Sequence, residues 1–116
     1  MIIKKINNVP ALPVEMEGAQ DVSVRVLFGP KDNAPTFALR QFELAPGGCT
    51  PFHNHPFEHE VVVMQGNIDL VREDGETPIA VGDVVLVNPD EKHRFRNASD
   101  AETARMLCIV PVEYQK

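Results

Sequence analysis

Turn-forming residues punctuate this chain so closely that it has room for many short strands and little room for long helices. Ten Pro and seven Gly are spread through 116 residues. Proline withdraws a backbone donor, and glycine opens conformations that other residues avoid, so clusters of the two end regular elements. The runs between them are short and rich in Val, Ile, Leu and Phe. Val22 to Phe28 stops at Gly29-Pro30, and Phe37 to Leu44 stops at Pro46-Gly47-Gly48. Glu60 to Gln65 meets Gly66-Asn67, and Ile68 to Val71 meets Glu73-Asp74-Gly75. Ile79 to Val81, Val84 to Val87 and His93 to Asn97 follow, each closed by its own turn residues. The last run, Thr103 to Val112, overlaps a helix-like stretch at Ala101 to Leu107, but Pro111 bounds its apolar centre and it reads as a strand. Closely spaced short strands are the mark of a sandwich or barrel. The expected fold is all-β, in one domain over residues 1–116, with an N-terminal segment at 1–24 and a barrel at 25–112.

Charge narrows the partners. Lys and Arg total 11 against 17 Asp and Glu, a net charge of -6. An acidic surface argues against nucleic acid and anionic membranes as partners. The opening MIIKKINNVPALPV places lysines inside its apolar stretch and reads as no signal peptide. No apolar run approaches the roughly 18–20 residues a membrane span needs. With only Cys49 and Cys108, the chain reads as reduced and cytoplasmic, a disulfide remaining open.

All four histidines fit one metal-ligand pattern. His53, His55 and His59 fall within seven residues, and His93 lies on a later strand. Neutral imidazole is the commonest side-chain ligand for first-row divalent metals. Two residues apart on an extended segment, His53 and His55 point the same way; on a helix they would diverge. Strand alternation then sends His59, Val61, Val63 and Gln65 inward, and Glu60, Val62 and Met64 outward. Val62 and Met64 on the outer face suggest that this face is covered as well, by a second sheet or subunit. His93 takes Phe95 inward and turns Arg94 and Arg96 to the outside.

These residues resemble the cupin superfamily. Its first motif is glycine, five residues, His-x-His, three or four residues, Glu, six residues and glycine. Gly47, His53, His55, His59 and Gly66 match that spacing, with His59 where the family usually has Glu. The second motif is matched by Gly82, by His93 after ten residues, and by Asn97 after three more. Within it, Pro89 sits one place late. The closest pattern is that of small single-domain prokaryotic cupins with a four-histidine, manganese-type site. The resemblance covers about Arg25 to Pro111. It implies a β-barrel or jelly roll, and a homodimer that exchanges N-terminal strands.

The expected ligands are thus His53, His55, His59 and His93, holding one divalent ion per chain. Mn or Fe is favoured, with Ni, Cu and Zn open. Glu60 is the alternative ligand after a one-residue register shift. Glu58 is either an acceptor for a histidine N–H or an exposed side chain. Phe95, Met106 and Cys108 share the inward parity and are candidate pocket walls. Cys108 is either an inert core residue or an outer-shell thiol. Arg40 either reaches the cavity to orient an anion or makes a salt bridge at the sheet edge. Phe42 and Phe52 read as core.

Every histidine is claimed by the metal, so a Ser-His-Asp set is excluded. Four imidazoles leave an ion its full charge, which suits binding an anionic small molecule. The leading functional expectation is dioxygenase-like oxidation or cleavage of a small organic substrate. The alternatives are a redox-neutral isomerase or decarboxylase, which needs a proton carrier the sequence does not supply, and a non-catalytic module that binds a small ligand or the metal.

Overall fold

A computed structural model describes residues 1–115. Nine strands occupy it: β1 (Leu12–Pro13), β2 (Gln20–Phe28), β3 (Phe37–Cys49), β4 (His59–Gln65), β5 (Asn67–Arg72), β6 (Gly75–Ala80), β7 (Val84–Val87), β8 (His93–Asn97) and β9 (Ala104–Pro111). The described residues contain three short 3-10 turns and no α-helix. The main path of the sheet runs β6-β5-β8-β3-β9-β4-β7, and β2 lies on β3 with β1 beside it. Every pairing is antiparallel. This is the all-β barrel expected from the punctuation, curled into a cupin-type jelly roll.

The long β3 makes the curl possible. It pairs with β9 from Phe37 to Leu44, then leaves β9 and meets β8 at Cys49 opposite Arg96. Pro46-Gly47-Gly48 therefore bends the strand where the sequence suggested an end. A side-chain carbon at Gly48 would come within 2.5 Å of the Asp21 carbonyl oxygen. Only glycine lets β3 pass that close to β2. At Gly66, with φ at +81°, an added Cβ would lie 2.9 Å from the Thr103 carbonyl oxygen. That turn packs directly on the start of β9.

The inner face is apolar at one end and histidine-bearing at the other. Strand β4 enters with His59 and continues through buried Val61 and Val63; β8 enters with His93 and continues through buried Phe95. Ile68, Leu70, Met106 and Val110 complete that core. The same strands that bury the core thus hold the histidines, and burial fixes their register, because a one-residue slip would turn Val61, Val63 and His59 outward together.

Buried Asn97 closes the core end. Its Nδ2 donates to the carbonyls of Leu44, Ala45 and Glu102 at 2.7–3.1 Å, and its Oδ1 accepts from Ser99 N at 2.9 Å. The asparagine at the end of the second motif is therefore a clamp between β3 and the β8–β9 turn.

Several expectations need correction. Gln65 is exposed, because the β4–β9 register slips between Val63 and Gln65 and carries it off the inner face. The β6 strand begins at Gly75, ahead of the expected Ile79, and leaves Val81 in an exposed turn. The last strand ends at Pro111, and Val112–Tyr114 forms a 3-10 turn. Phe42 packs against the core, but Phe52 lies outside it, facing the cations of Lys92 and Arg94. Apart from these corrections, β1 pairs with Ser23 and Val24 of β2.

Candidate metal centre

Two histidines are placed by a local backbone bridge. His53 and His93 exchange backbone hydrogen bonds of 3.1 and 3.0 Å across neighbouring segments. Their side chains consequently emerge side by side, with ring centroids 5.4 Å apart. The His55 carbonyl accepts from Asp90 N at 2.8 Å, tying the ligand loop to the turn before β8. The possible ligand atoms of His53, His55 and His93 all lie within 4.8 Å of one another. His59, arriving from β4, places Nε2 3.0 Å from Nε2 of His93 and its ring 4.9 Å from that of His55.

The rings are held from behind. The Nδ1 atoms of His55 and His93 lie 2.8 and 2.7 Å from the carbonyl oxygens of Phe57 and Glu91. A carbonyl only accepts, so those Nδ1 atoms carry the hydrogens and each Nε2 presents a lone pair. His59 differs: its Nδ1 meets the Cys108 sulfur at 3.1 Å. Arg40 Nη2 donates to the same sulfur at 3.0 Å. Phe95 forms the floor, its ring edge-on to His93 and His59 at 5.8 and 6.2 Å.

Burial favours the neutral form of His59, His53 and His93. It pushes the pKa of His59 down to about 3 and of His53 to about 4, with smaller pushes from neighbouring imidazoles and Arg40. His93 is lowered too, mainly by burial, against an opposing pull from the Glu91 carbonyl. Burial raises the Cys108 thiol, while Arg40 pulls it down.

The donor set fits a divalent ion. If Nδ1 of His59 donates to Cys108, the lone pairs of His59 and His93 face each other at 3.0 Å. Only a shared cation makes that arrangement favourable, and ligands about 2.1 Å from one ion and at right angles are about 3.0 Å apart. In the metal-free alternative, the thiol donates to His59 and His59 donates to His93.

The other sequence candidates are placed as follows. Arg40 lies opposite Cys108 in the β3–β9 register and stacks its guanidinium over Phe42 at 4.8 Å. Met106 is buried between Phe42 and Val63 in the core, away from the mouth. Glu58 is exposed, and backbone carbonyls hold His55 and His93 in its stead. Glu60 is exposed on the outer face opposite Leu86 and Ile109, so the register-shifted alternative is not adopted. Arg96 pairs with Asp69 and Glu76 on the outside, as alternation implied.

Phe57 and Tyr114 were not anticipated. His55 stacks on Phe57 at 4.0 Å and Phe57 on Tyr114 at 4.2 Å. Phe57 carried a signal, an aromatic inside the ligand loop; Tyr114 is distant in sequence and carried none. A groove of about 530 Å³ reaches His93, with Asn54, Leu70, Arg72, Val87 and Lys92 among its walls. No helix among the described residues is long and apolar enough to cross a membrane.

Known proteins resemble this chain to different extents. The structure matches that of the polyketide cyclase RemF from Streptomyces resistomycificus with a TM-score of 0.92 and 31% identity, covering 100% of this chain and 82% of that one. In sequence, the chain is 31% identical over 97 residues to 1-methylthio-D-xylulose 5-phosphate methylsulfurylase of Rhodospirillum rubrum, covering 84% of this chain and 60% of that protein. It is 32% identical over 68 residues to protein SchB of Streptomyces halstedii, covering 58% of this chain and 49% of SchB. The chain thus spans between about half and three-fifths of these two relatives. The Cupin domain (Cupin_2) matches residues 40–110, which hold all four histidines, Arg40 and Cys108, and the chain belongs to the cupin family.

Proposed function

We propose that this cupin is a metal-dependent enzyme acting on a small enolisable organic molecule, with one divalent ion, Mn or Fe by preference, held by His53, His55, His59 and His93. The observation that carries the reading is the convergence of four imidazoles, with His59 and His93 nitrogens 3.0 Å apart and, among the described residues, no carboxylate hydrogen-bonded to a ring. When bound, the ion supplies Lewis-acid stabilisation of negative charge on a ligand oxygen. The chain's own residues do the rest. The Phe57 and Glu91 carbonyls aim two rings, the Cys108 sulfur aims a third, and Phe95 keeps water from the floor.

Redox-neutral carbonyl chemistry is the leading form of this activity, supported by the naming of a similar protein as a polyketide cyclase. The oxygen-dependent cleavage expected from the sequence remains the second reading. It is favoured by the side chains against the rings: Cys108 alone carries a proton there, and its thiol is pushed up by burial. Moving protons between carbons therefore lacks a good carrier.

Mn2+- or Fe2+-loaded protein, supplied with acetylacetone in deuterated buffer, separates the two. Deuterium exchange at the central carbon without oxygen uptake supports the redox-neutral form. Oxygen uptake matched to substrate loss supports the second. Neither event overturns both.

A homodimer and an intracellular location belong to the same proposal. Met64, Val84, Leu86 and Ile109 are exposed on the outer face of β4, β7 and β9, which suits a second copy. Both cysteines are free thiols, which suits a reducing compartment.

A further inference from the structure

Six arginines serve this chain, and five of them meet oxygen. Arg25 reaches the carbonyls of Asn7 and Val9, Arg94 that of Thr50, and Arg72, Arg96 and Arg105 reach carboxylates. Arg40 is different. Its hydrogen bond runs to a thiol sulfur, a weak acceptor, and no carboxylate pairs with it among the described residues. Its Nε is buried without a partner, as is that of Arg25, whose fork nevertheless reaches two carbonyls. A guanidinium has five N–H donors in a planar fork, and half-buried donors without strong acceptors are costly unless something fills them.

Its position says what fills them. Arg40 and His59 touch the same Cys108 sulfur at 3.0 and 3.1 Å, so the guanidinium stands immediately behind the histidine cluster. Its charge reaches both His53 and His59. A neutral ligand set offers that charge no counter-ion.

We infer that Arg40 is the anchor for a carboxylate on the small molecule bound beside the histidines, so the ligand is a carboxylic acid whose anionic end lands on the guanidinium while its other oxygens face the histidines. The inference rests on the small-molecule reading of the site above. A lone guanidinium matches a monoanionic carboxylate in charge and in bidentate shape. A phosphate dianion would call for a second cation at the same place. The anchor also selects, because a neutral ligand leaves the fork unfilled.

Isothermal titration with acetoacetate and with its neutral methyl ester tests this, in the presence and absence of Mn2+. Acetoacetate should bind at least about tenfold more tightly than the ester, as a charge-assisted pair commonly gives. Arg40→Gln should bring the ratio to near one, and Arg40→Lys should retain part of it. A ratio near one in the unaltered protein, or one unchanged by Arg40→Gln, overturns the anchor; so does failure of both probes to bind. If Arg40→Gln does not fold, the ratio in the unaltered protein and its reduction by Arg40→Lys decide. Mn2+ bound at one per chain with both probes bound alike leaves the metal centre standing and removes the anchor. A preserved preference for acetoacetate in a protein that binds no Mn2+ does the reverse.

Discussion

The Nε2 atoms of His59 and His93 face one another at 3.0 Å, while Nδ1 of His93 is committed to the Glu91 carbonyl. One of these two nitrogens would have to change its role if an ion were held between them, and Cys108 is the group that would let His59 do so. When His59 Nδ1 donates to sulfur, Nε2 is free to ligate.

Loss of a ligand should be decisive and specific. His59→Ala and His93→Ala are each expected to weaken Mn2+ binding by more than about a hundredfold, beyond the 10–100-fold typical of outer-shell changes. Glu60→Ala should leave it unchanged, since Glu60 points outward. Elemental analysis and competitive metal titration check this. Equal losses for Glu60 and His59 variants would disprove the ligand assignment.

Cys108 should matter through its hydrogen bond to His59. Cys108→Ser keeps an acceptor and should hold metal affinity within a few-fold of the parent. Cys108→Val fills similar space without an acceptor and should lose about 10–100-fold. The electronic spectrum of Co2+-loaded protein should shift for Val and stay near the parent for Ser. Identical spectra and affinities for both variants would reduce Cys108 to packing.

Stability of the metal-free protein should fall in mild acid. The folded pKa values of His59 and His53, about 3 and about 4, lie below the ordinary 6.5. Between those values and 6.5 the unfolded chain binds more protons, so stability rises with pH across the window and is complete above it. Each proton taken up on unfolding contributes a slope of about 1.4 kcal/mol per pH unit. Urea melts from pH 7 to 4.5 measure the slope, and a flat profile contradicts the buried neutral state. Direct competition between protons and metal for the lone pairs of the folded protein should set in lower, near the depressed pKa values themselves.

Asn97→Ala should destabilise the fold by at least about 2 kcal/mol, because three carbonyls lose one shared buried donor. Metal affinity of the folded protein should change little, since Asn97 lies at the core end of β8. Urea unfolding and metal titration on the same variant separate the two effects.

Replacement on the outer face tests the dimer. Leu86→Asp should convert a homodimer to a monomer in sedimentation velocity, without altering metal content. A parent that is already monomeric at tens of micromolar removes the proposal.

Much of this site was legible in order along the chain. His53 and His55 are two positions apart on extended backbone, which carries both side chains to one side, so their pairing was legible from spacing. Alternation likewise placed Val61 and Val63 inside with His59, and Phe95 inside with His93, because strand period is a local property. It failed at Gln65, where a slip against β9 shifted the register, and Pro46-Gly47-Gly48 looked like a stop because glycine marks both ends and bends.

Which strands become neighbours was decided only in three dimensions. The Arg40–Cys108–His59 contacts join β3, β9 and β4 across 68 and 49 positions. Nothing local distinguishes Arg40 from an arginine with an ordinary salt bridge; its lack of an oxygen partner exists only because β9 lies between β3 and β4. The sequence by itself thus determined strand content, alternation and the pairing of His53 with His55, which depend on neighbours along the chain. The Cys108 anchor behind His59, the Phe57–Tyr114 stack and the sulfur contact of Arg40 depend on neighbours distant in sequence, and tertiary pairing alone decided those.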